Sequence, residues 1–272
     1  MTALPSRFWA DLPWPAFRDL PADTVAIVPV ASIEQHGPHL PVSVDTTINE
    51  GVVARALDFL APEVPVLVLP TQRVGLSVEH LAFPGTLTLT PETLLAVVTE
   101  IGDSVARAGV RKLVFVNSHG GQPQILDIAA RRMRIKHAMF AVNCQWSRLG
   151  KPAGLISDIE SRYGIHAGHV ETALMLALKP ERVDMSLARN FASRAMRFEN
   201  EAPLLSPEAG VPIGWMAQDL DPAGAAGDAT LATVETGHKI LDFAGQRMAE
   251  LWTQVWRFDT ASWLRHAPDL DA

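Results

Sequence analysis

Apolar positions along the chain follow two rhythms. Short runs rich in β-branched residues, Thr24–Ser32 (TVAIVPVAS), Val64–Pro70 (VPVLVLP), Lys112–Asn117 (KLVFVN) and Ala138–Cys144, read as strands. Between them, helical spacing predicts helices over Thr47–Leu60, from Pro91 to about Ala108, and over Gln122–Lys136. Thr90-Pro91-Glu92 is an N-cap signal with proline at the first helical position, and Gly109 marks that helix's end. This βαβα alternation predicts an α/β fold, a mainly parallel sheet covered by helices on both faces.

The second half is less regular. His169–Leu178 (HVETALMLAL) reads as a short amphipathic helix stopped by Pro180, and Ala192–Pro222 as loop-rich. Thr230–Trp256 reads as a long helix packed on the sheet. No Ser/Gly linker separates the halves, and no repeat or low-complexity tract is visible, so residues 1–272 are expected to form one domain.

Composition narrows the chemistry. A 48% hydrophobic share over 272 residues suits a full core. The formal net charge is −7, which makes nonspecific nucleic-acid binding an unlikely role for a chain without a basic stripe. The apolar runs fall far short of the ~18–20 residues a membrane-spanning helix needs, and Met1–Phe17 has no signal-peptide core, so a cytoplasmic protein without a membrane partner is expected. Cys144 is the only cysteine, which excludes an internal disulfide and a multi-cysteine zinc site. Any metal must therefore be held by carboxylates and some of the nine histidines.

Four segments concentrate such groups. Glu34-Gln35-His36-Gly37-Pro38-His39, followed by Asp45, comes directly after the first strand, where open α/β sheets bind ligands. Glu34 and His36 are two apart, so an extended backbone turns both side chains to one side, and the Gly37-Pro38 turn lets Asp45 return to them. Asn117-Ser118-His119-Gly120-Gly121-Gln122 follows the third strand. His166-Ala167-Gly168-His169-Val170-Glu171 opens a helix, and Gly75–Leu89 (GLSVEHLAFPGTLTL) carries His80. Each has a plainer reading: a polar loop with a capping aspartate, a histidine in a glycine turn, a carboxylate complementing a helix dipole, and a hairpin-like turn. Together, however, the Glu34-x-His36-x8-Asp45 set, the strand-end His119 and the helix-start Glu171 could supply five carboxylate and imidazole donors, enough for two metals sharing a carboxylate. No GxSxG nucleophile pattern competes.

These segments make the chain similar to the creatininase (creatinine amidohydrolase) family. The resemblance rests on EQHGPHLPVSVDT (Glu34 to Thr46), GLSVEHLAFPGTLTL, VNSHGGQ (Val116 to Gln122), HAGHVETALML (His166 to Leu176) and, more loosely, GDATLATVETG (Asp228 to Gly237). It implies a three-layer α/β/α sandwich, a binuclear metal site and metal-dependent hydrolysis of C–N or related bonds. By the resemblance, Glu34 would bind one metal and His36 the other, Asp45 would bridge them, and His119 would complete the first. The family's usual NGHGGN reads NSHGGQ here. Creatinine-hydrolysing members also carry an acidic ligand two positions after the histidine, where this chain has Gly121, so Glu171 becomes the expected replacement and creatinine is put in doubt.

The expected chemistry is attack on a carbonyl carbon by hydroxide bound between two divalent ions (Zn, Mn or Fe), whose bound water falls in pKa from 15.7 to roughly 7. His166, flanking Glu171, is the first candidate for the acid that protonates the leaving nitrogen; His39, His80 and Trp146 are candidates for substrate contact. The expected substrate is a small cyclic amide, lactam or formamide. A cyclic ketone, a peptide precursor, a one-metal isomerase or aldolase, and a non-catalytic metal-binding scaffold are the alternatives. The pocket loops are expected at Cys144–Arg162 and Ala192–Asp228, with Arg194, Arg197, Trp215 and Met216 in the second. Oligomers, often hexamers, are implied by the resemblance. Aromatics near the chain ends (Trp9, Trp14, Phe17, Trp252, Trp256, Trp263) add a motive for a homo-oligomer, with core packing as the alternative.

Overall fold

The computed structural model describes residues 4–207 and 211–264. Four parallel strands, β1 (Val25–Val30), β2 (Val66–Val68), β3 (Lys112–Asn117) and β4 (Phe140–Gln145), form a sheet in the order β2-β1-β3-β4. The crossovers carry α1 (Val44–Phe59), α2 (Pro91–Arg107) and α3 (Pro123–His137). Beyond β4 come α4 (Asp158–Tyr163), α5 (His169–Leu178), α6 (Ala195–Glu201), α7 (Ala217–Leu220) and the long α8 (Val234–Arg257).

Alternate strand residues face opposite sides and divide the core. Val25, Ile27, Val114 and Val116 pack with Ile48 and Val52 of α1, Leu174 of α5, and Met248 and Trp252 of α8. Ala26, Val28, Leu113 and Phe115 pack with Leu94 and Val98 of α2 and Leu126 and Met133 of α3. The result is the expected α/β/α sandwich.

Several boundaries differ from the sequence pattern for identifiable reasons. Helix α1 starts at Val44 rather than Thr47, because Thr47 N already donates to Ser43 O (2.9 Å). Asp45 is thereby a helical residue in the first turn, not part of the preceding loop. β2 is shorter than its apolar run, and β4 starts two residues late, after Ala138 has closed α3 in the left-handed conformation (φ 52°). The stretch read as loop-rich holds α6, α7 and two-residue strands, all too short to show a period. The long helix begins at Val234, capped by Thr233, because Ala229–Leu231 forms a separate 3-10 turn. It packs mainly against α1 and α5 and also touches β1 and β3 of the sheet. Among the described residues no helix is long and apolar enough to cross a membrane.

The sheet brings the C-terminal ends of its central strands level: Val30 pairs with Asn117, and Asn117 with Gln145. Asn49, fully buried in α1, donates through its side-chain amide to Val30 O (3.0 Å) and Val116 O (2.9 Å), tying α1 to both strand ends. Asn49→Ala leaves these buried carbonyls short of a donor and is expected to cost about 1–3 kcal/mol, read as a lower urea midpoint with an unchanged slope. An equal midpoint would show that the tie contributes nothing.

Candidate metal centre

The site is assembled on that level edge. After β1 the backbone stays extended, with Ile33 bridging Leu87 and Glu34 N donating to Val42 O (2.9 Å). His36 bridges Leu40 across a tight turn in which Gly37 has φ +67°, a conformation that favours glycine, and a Cβ there would press on Ala225 and His39. The turn feeds α1 and so delivers Asp45. Three hydroxyls hold that junction: Ser32 Oγ donates to Asp45 Oδ2, Ser118 Oγ to Asp45 O (2.9 Å), and Thr46 Oγ1 to Ser32 O (3.0 Å). His119 comes from the turn after β3. Glu171 comes from the first turn of α5, where Oε2 accepts from Ala167 N at 2.5 Å and Ala167 is a left-handed non-glycine (φ 55°).

These five residues converge into two groups that share one carboxylate. One donor atom each of Glu34, Asp45 and His119 lie within 4.8 Å of one another, and so do those of His36, Asp45 and Glu171. Asp45 Oδ2 stands 3.8 Å from His119 Nδ1 and 3.9 Å from His36 Nε2, and Glu171 Oε2 stands 3.7 Å from His36 Nε2. Such separations are too long for hydrogen bonds, but they suit donors placed about 2.0–2.2 Å from a shared ion.

Both imidazoles present the correct nitrogen. His36 Nδ1 lies 3.0 Å from Glu34 O and His119 Nε2 lies 2.7 Å from Leu76 O. A carbonyl only accepts, so those nitrogens carry the protons. His36 Nε2 and His119 Nδ1 are turned toward the carboxylates, the nitrogens each ring could offer to a metal ion. His36 Nε2 is buried and has no hydrogen-bond partner, an expensive state for a polar atom unless a ligand satisfies it, and buried Glu34 Oε2 has His119 Nδ1 3.2 Å away. The donor set, its tautomers and its unpaired atoms all fit divalent metal ions.

Electrostatics tell the same story. Burial and then the charge of Glu34 push the Asp45 carboxyl well above its ordinary range; burial likewise raises Glu171. Burial would raise Glu34 too, but His119, His80 and His166 around it hold it well below that range. Burial, reinforced by His166, pushes His36 well below the usual imidazole value. Burial opposes a charge on His119 as well, but Glu34, Glu79 and Asp45 outweigh it and hold the ring well above that value. Crowded carboxylates of this kind require positive charge, from protons or from metal.

A cleft of about 320 Å³ opens onto the cluster, lined by Glu34, Asp45, His119, His166 and Glu171 together with Trp146, Arg148 and Lys151. His166 donates from Nε2 to Gln35 O (2.7 Å), which leaves Nδ1 on the metal side, 3.8 Å from Glu34 Oε1. Trp146 opens the turn after β4. The other two candidates for substrate contact lie outside this lining. His39 is buried behind it, with Nε2 2.9 Å from Thr172 Oγ1 and its ring stacked on Phe191 (5.3 Å). His80 sits beneath Glu34, with Nε2 3.3 Å from Glu34 Oε1. Of the two expected pocket loops only the first lines the cleft. Arg194, Arg197 and Trp215 line a separate depression, and Arg197 pairs with Glu201 (2.8 Å). The sequence reading also passed over Glu79, whose Oε1 lies 3.2 Å from His119 Nε2; an acidic neighbour of His80 was its only signal.

Comparison with known proteins gives a consistent picture. The family model for creatininase, described as creatinine amidohydrolase, matches residues 10–252. A mycofactocin precursor peptide peptidase of Mycobacterium ulcerans (strain Agy99) is 33% identical over 219 residues, 79% of this chain and 78% of the relative. A creatinine amidohydrolase of Pseudomonas putida is 32% identical over 203 residues, 66% and 75% of the two chains. A solved structure described as "Creatininase Mn" superposes with a TM-score of 0.74 at 26% identity, covering 93% of this chain and 100% of its own.

Two measurements check the site. His119→Ala and Glu34→Ala should each lower the divalent metal found by elemental analysis of the purified protein; full metal content in both would rule this cluster out. Burial pushes the Cys144 thiol up to about 12, so the native protein should resist iodoacetamide at pH 8. Rapid alkylation with loss of activity would return the cysteine to the chemistry.

Proposed function

The chain belongs to the creatininase family, and from that premise we propose that its cleft hydrolyses the amide C–N bond of a small cyclic amide, lactam or formamide with two divalent ions bound. Metal-dependent hydrolysis is the family's chemistry. The observation that carries the two-ion reading is the pair of donor groups sharing Asp45.

Glu34, Asp45 and His119 would hold one ion, and His36, Asp45 and Glu171 the other. Zn, Mn and Fe all accept this donor set. When bound, such ions polarise a carbonyl oxygen and bring the pKa of bound water from 15.7 to roughly 7. The protein's own groups handle the protons. His166, its Nε2–H committed to Gln35 O, keeps Nδ1 free to receive the proton that water loses and to pass it to the departing nitrogen. The carboxylates neutralise the ions, and Trp146 walls the cleft where the substrate's apolar part would lie. Water adds across the C–N bond to give an acid and an amine.

A peptide substrate is the second reading. It is supported by the 33% identity to a mycofactocin precursor peptide peptidase and by Gly121, which stands where creatinine-hydrolysing members place an acidic ligand. An assembly of identical chains belongs to the same proposal: Trp14 and Trp263 are 69% and 68% exposed, whereas Trp252 is core and accounts for itself.

A screen of lactams, formamides and short peptides, with metals counted per chain, separates these readings. Two ions and turnover of a small amide support the first, peptide cleavage alone the second, and no turnover with metal bound a scaffold. His166→Ala should keep both metals and lose about 10²–10⁴ in kcat; an unchanged kcat would remove His166 from the proton path.

A further inference from the structure

The segment after β2 does not reach the cleft, yet it touches two of the metal-site donors from behind. Gln122 anchors it: Oε1 accepts from Leu76 N (3.1 Å), and Nε2 donates to Asn117 Oδ1 (2.9 Å) at the end of β3. From this anchor Leu76 O takes the His119 Nε2 proton, and the short 3-10 turn Val78–His80 sets Glu79 Oε1 3.2 Å from the same nitrogen. His80, whose Nδ1 accepts from Gln35 Nε2 (2.7 Å), directs Nε2–H at Glu34 Oε1 (3.3 Å). A carboxylate behind an imidazole fixes the ring and makes its other nitrogen a better donor.

Gly121 gives a second, independent observation. A Cβ built there falls 2.1 Å from Glu79 Oε1 and 2.6 Å from His119 Nε2. Both are ends of side chains rather than backbone. A side chain at 121 would therefore spare the fold and displace the Glu79 carboxylate and the His119 ring.

We infer that Glu79 is a positioning residue for His119 beside the Leu76 carbonyl, and that residues 79 and 121 form one coupled device in which the Glu79 carboxylate occupies space that only a glycine at 121 leaves open. This rests on the metal reading of the site. The consequence is that this chain supports His119 with a carboxylate supplied from a distant turn, and tolerates no side chain two residues beyond the histidine while Glu79 is present.

The test uses Mn²⁺ and Zn²⁺ as probes on the full chain, by chelator competition and metal counting, with thermal unfolding of the metal-free protein as a control for folding. His119→Ala first identifies the ion that depends on this histidine. Glu79→Ala is expected to weaken that ion's binding by about 10–100-fold and leave the other ion's binding within a factor of two or so. Glu79→Gln, which keeps an acceptor oxygen, should recover most of the loss. Gly121→Ala should weaken the same ion, and adding Glu79→Ala to it should cost little more, because the carboxylate is already displaced. Wild-type affinity in Glu79→Ala, equal loss of both ions, or fully additive losses in the double variant would each overturn the inference. If His119→Ala itself retains every ion, the metal reading has failed and not merely the role of Glu79.

Discussion

Three carboxylates and two imidazoles crowded into one largely buried pocket constrain the architecture of the site. Left to themselves, Glu34, Asp45 and Glu171 lose their hydration and repel one another, which is why the Asp45 carboxyl lies well above its ordinary range and that of Glu171 is raised. The surrounding structure can be understood as what is needed to keep such groups together until cations compensate them. The strand ends are level, so residues from β1 and β3 emerge side by side. Asn49 and the hydroxyls of Ser32, Thr46 and Ser118 then tie the start of α1 to both.

Backbone carbonyls settle the imidazole tautomers. Glu34 O and Leu76 O each take one ring proton, from His36 and His119, and a third carbonyl, Gln35 O, does the same for His166. Three histidines thus turn their other ring nitrogen to the same region, although their sequence contexts differ. The division of labour follows from which atoms lie behind each ring. His36 and His119 face carboxylates and suit metal. His166 faces the cleft from one side, with Glu34 Oε1 3.8 Å from its Nδ1 and its ring 4.1 Å from that of His36, and is the candidate for proton transfer.

Support from behind is as specific as the donor set. The turn carrying Glu79 and His80 contributes no lining to the cleft, but it contacts Glu34 and His119 directly. Gly121 is explained by this close approach more than by a loop that must bend, since its φ is ordinary and its constraint is space. His39 shows the converse. It lies within the most distinctive motif of the chain, yet it stacks on Phe191 and contacts Thr172, a packing role at some distance from the chemistry.

Much of this was legible in the chain alone. Strand and helix order follows from local periods of two and 3.6 residues, because burial on a regular backbone repeats at those periods. Glu34, His36, Asp45 and His119 stood out because a parallel sheet delivers the residues after its strands to one edge, so their sequence positions already imply proximity. Glu171 was already one of the five possible donors from its place at a helix start, and the resemblance made it the expected replacement ligand; the plainer reading of it as a first-turn carboxylate also fits, since it lies in the first turn of α5. What only the tertiary structure decided are contacts between segments with no shared period. These are Glu79 against His119 across 40 positions, the exclusion of Arg194 and Arg197 from the cleft, and the placement of His39 and His80 outside its lining. A motif specifies which groups a segment offers; the packing of other segments around it decides which atoms of those groups remain free to act.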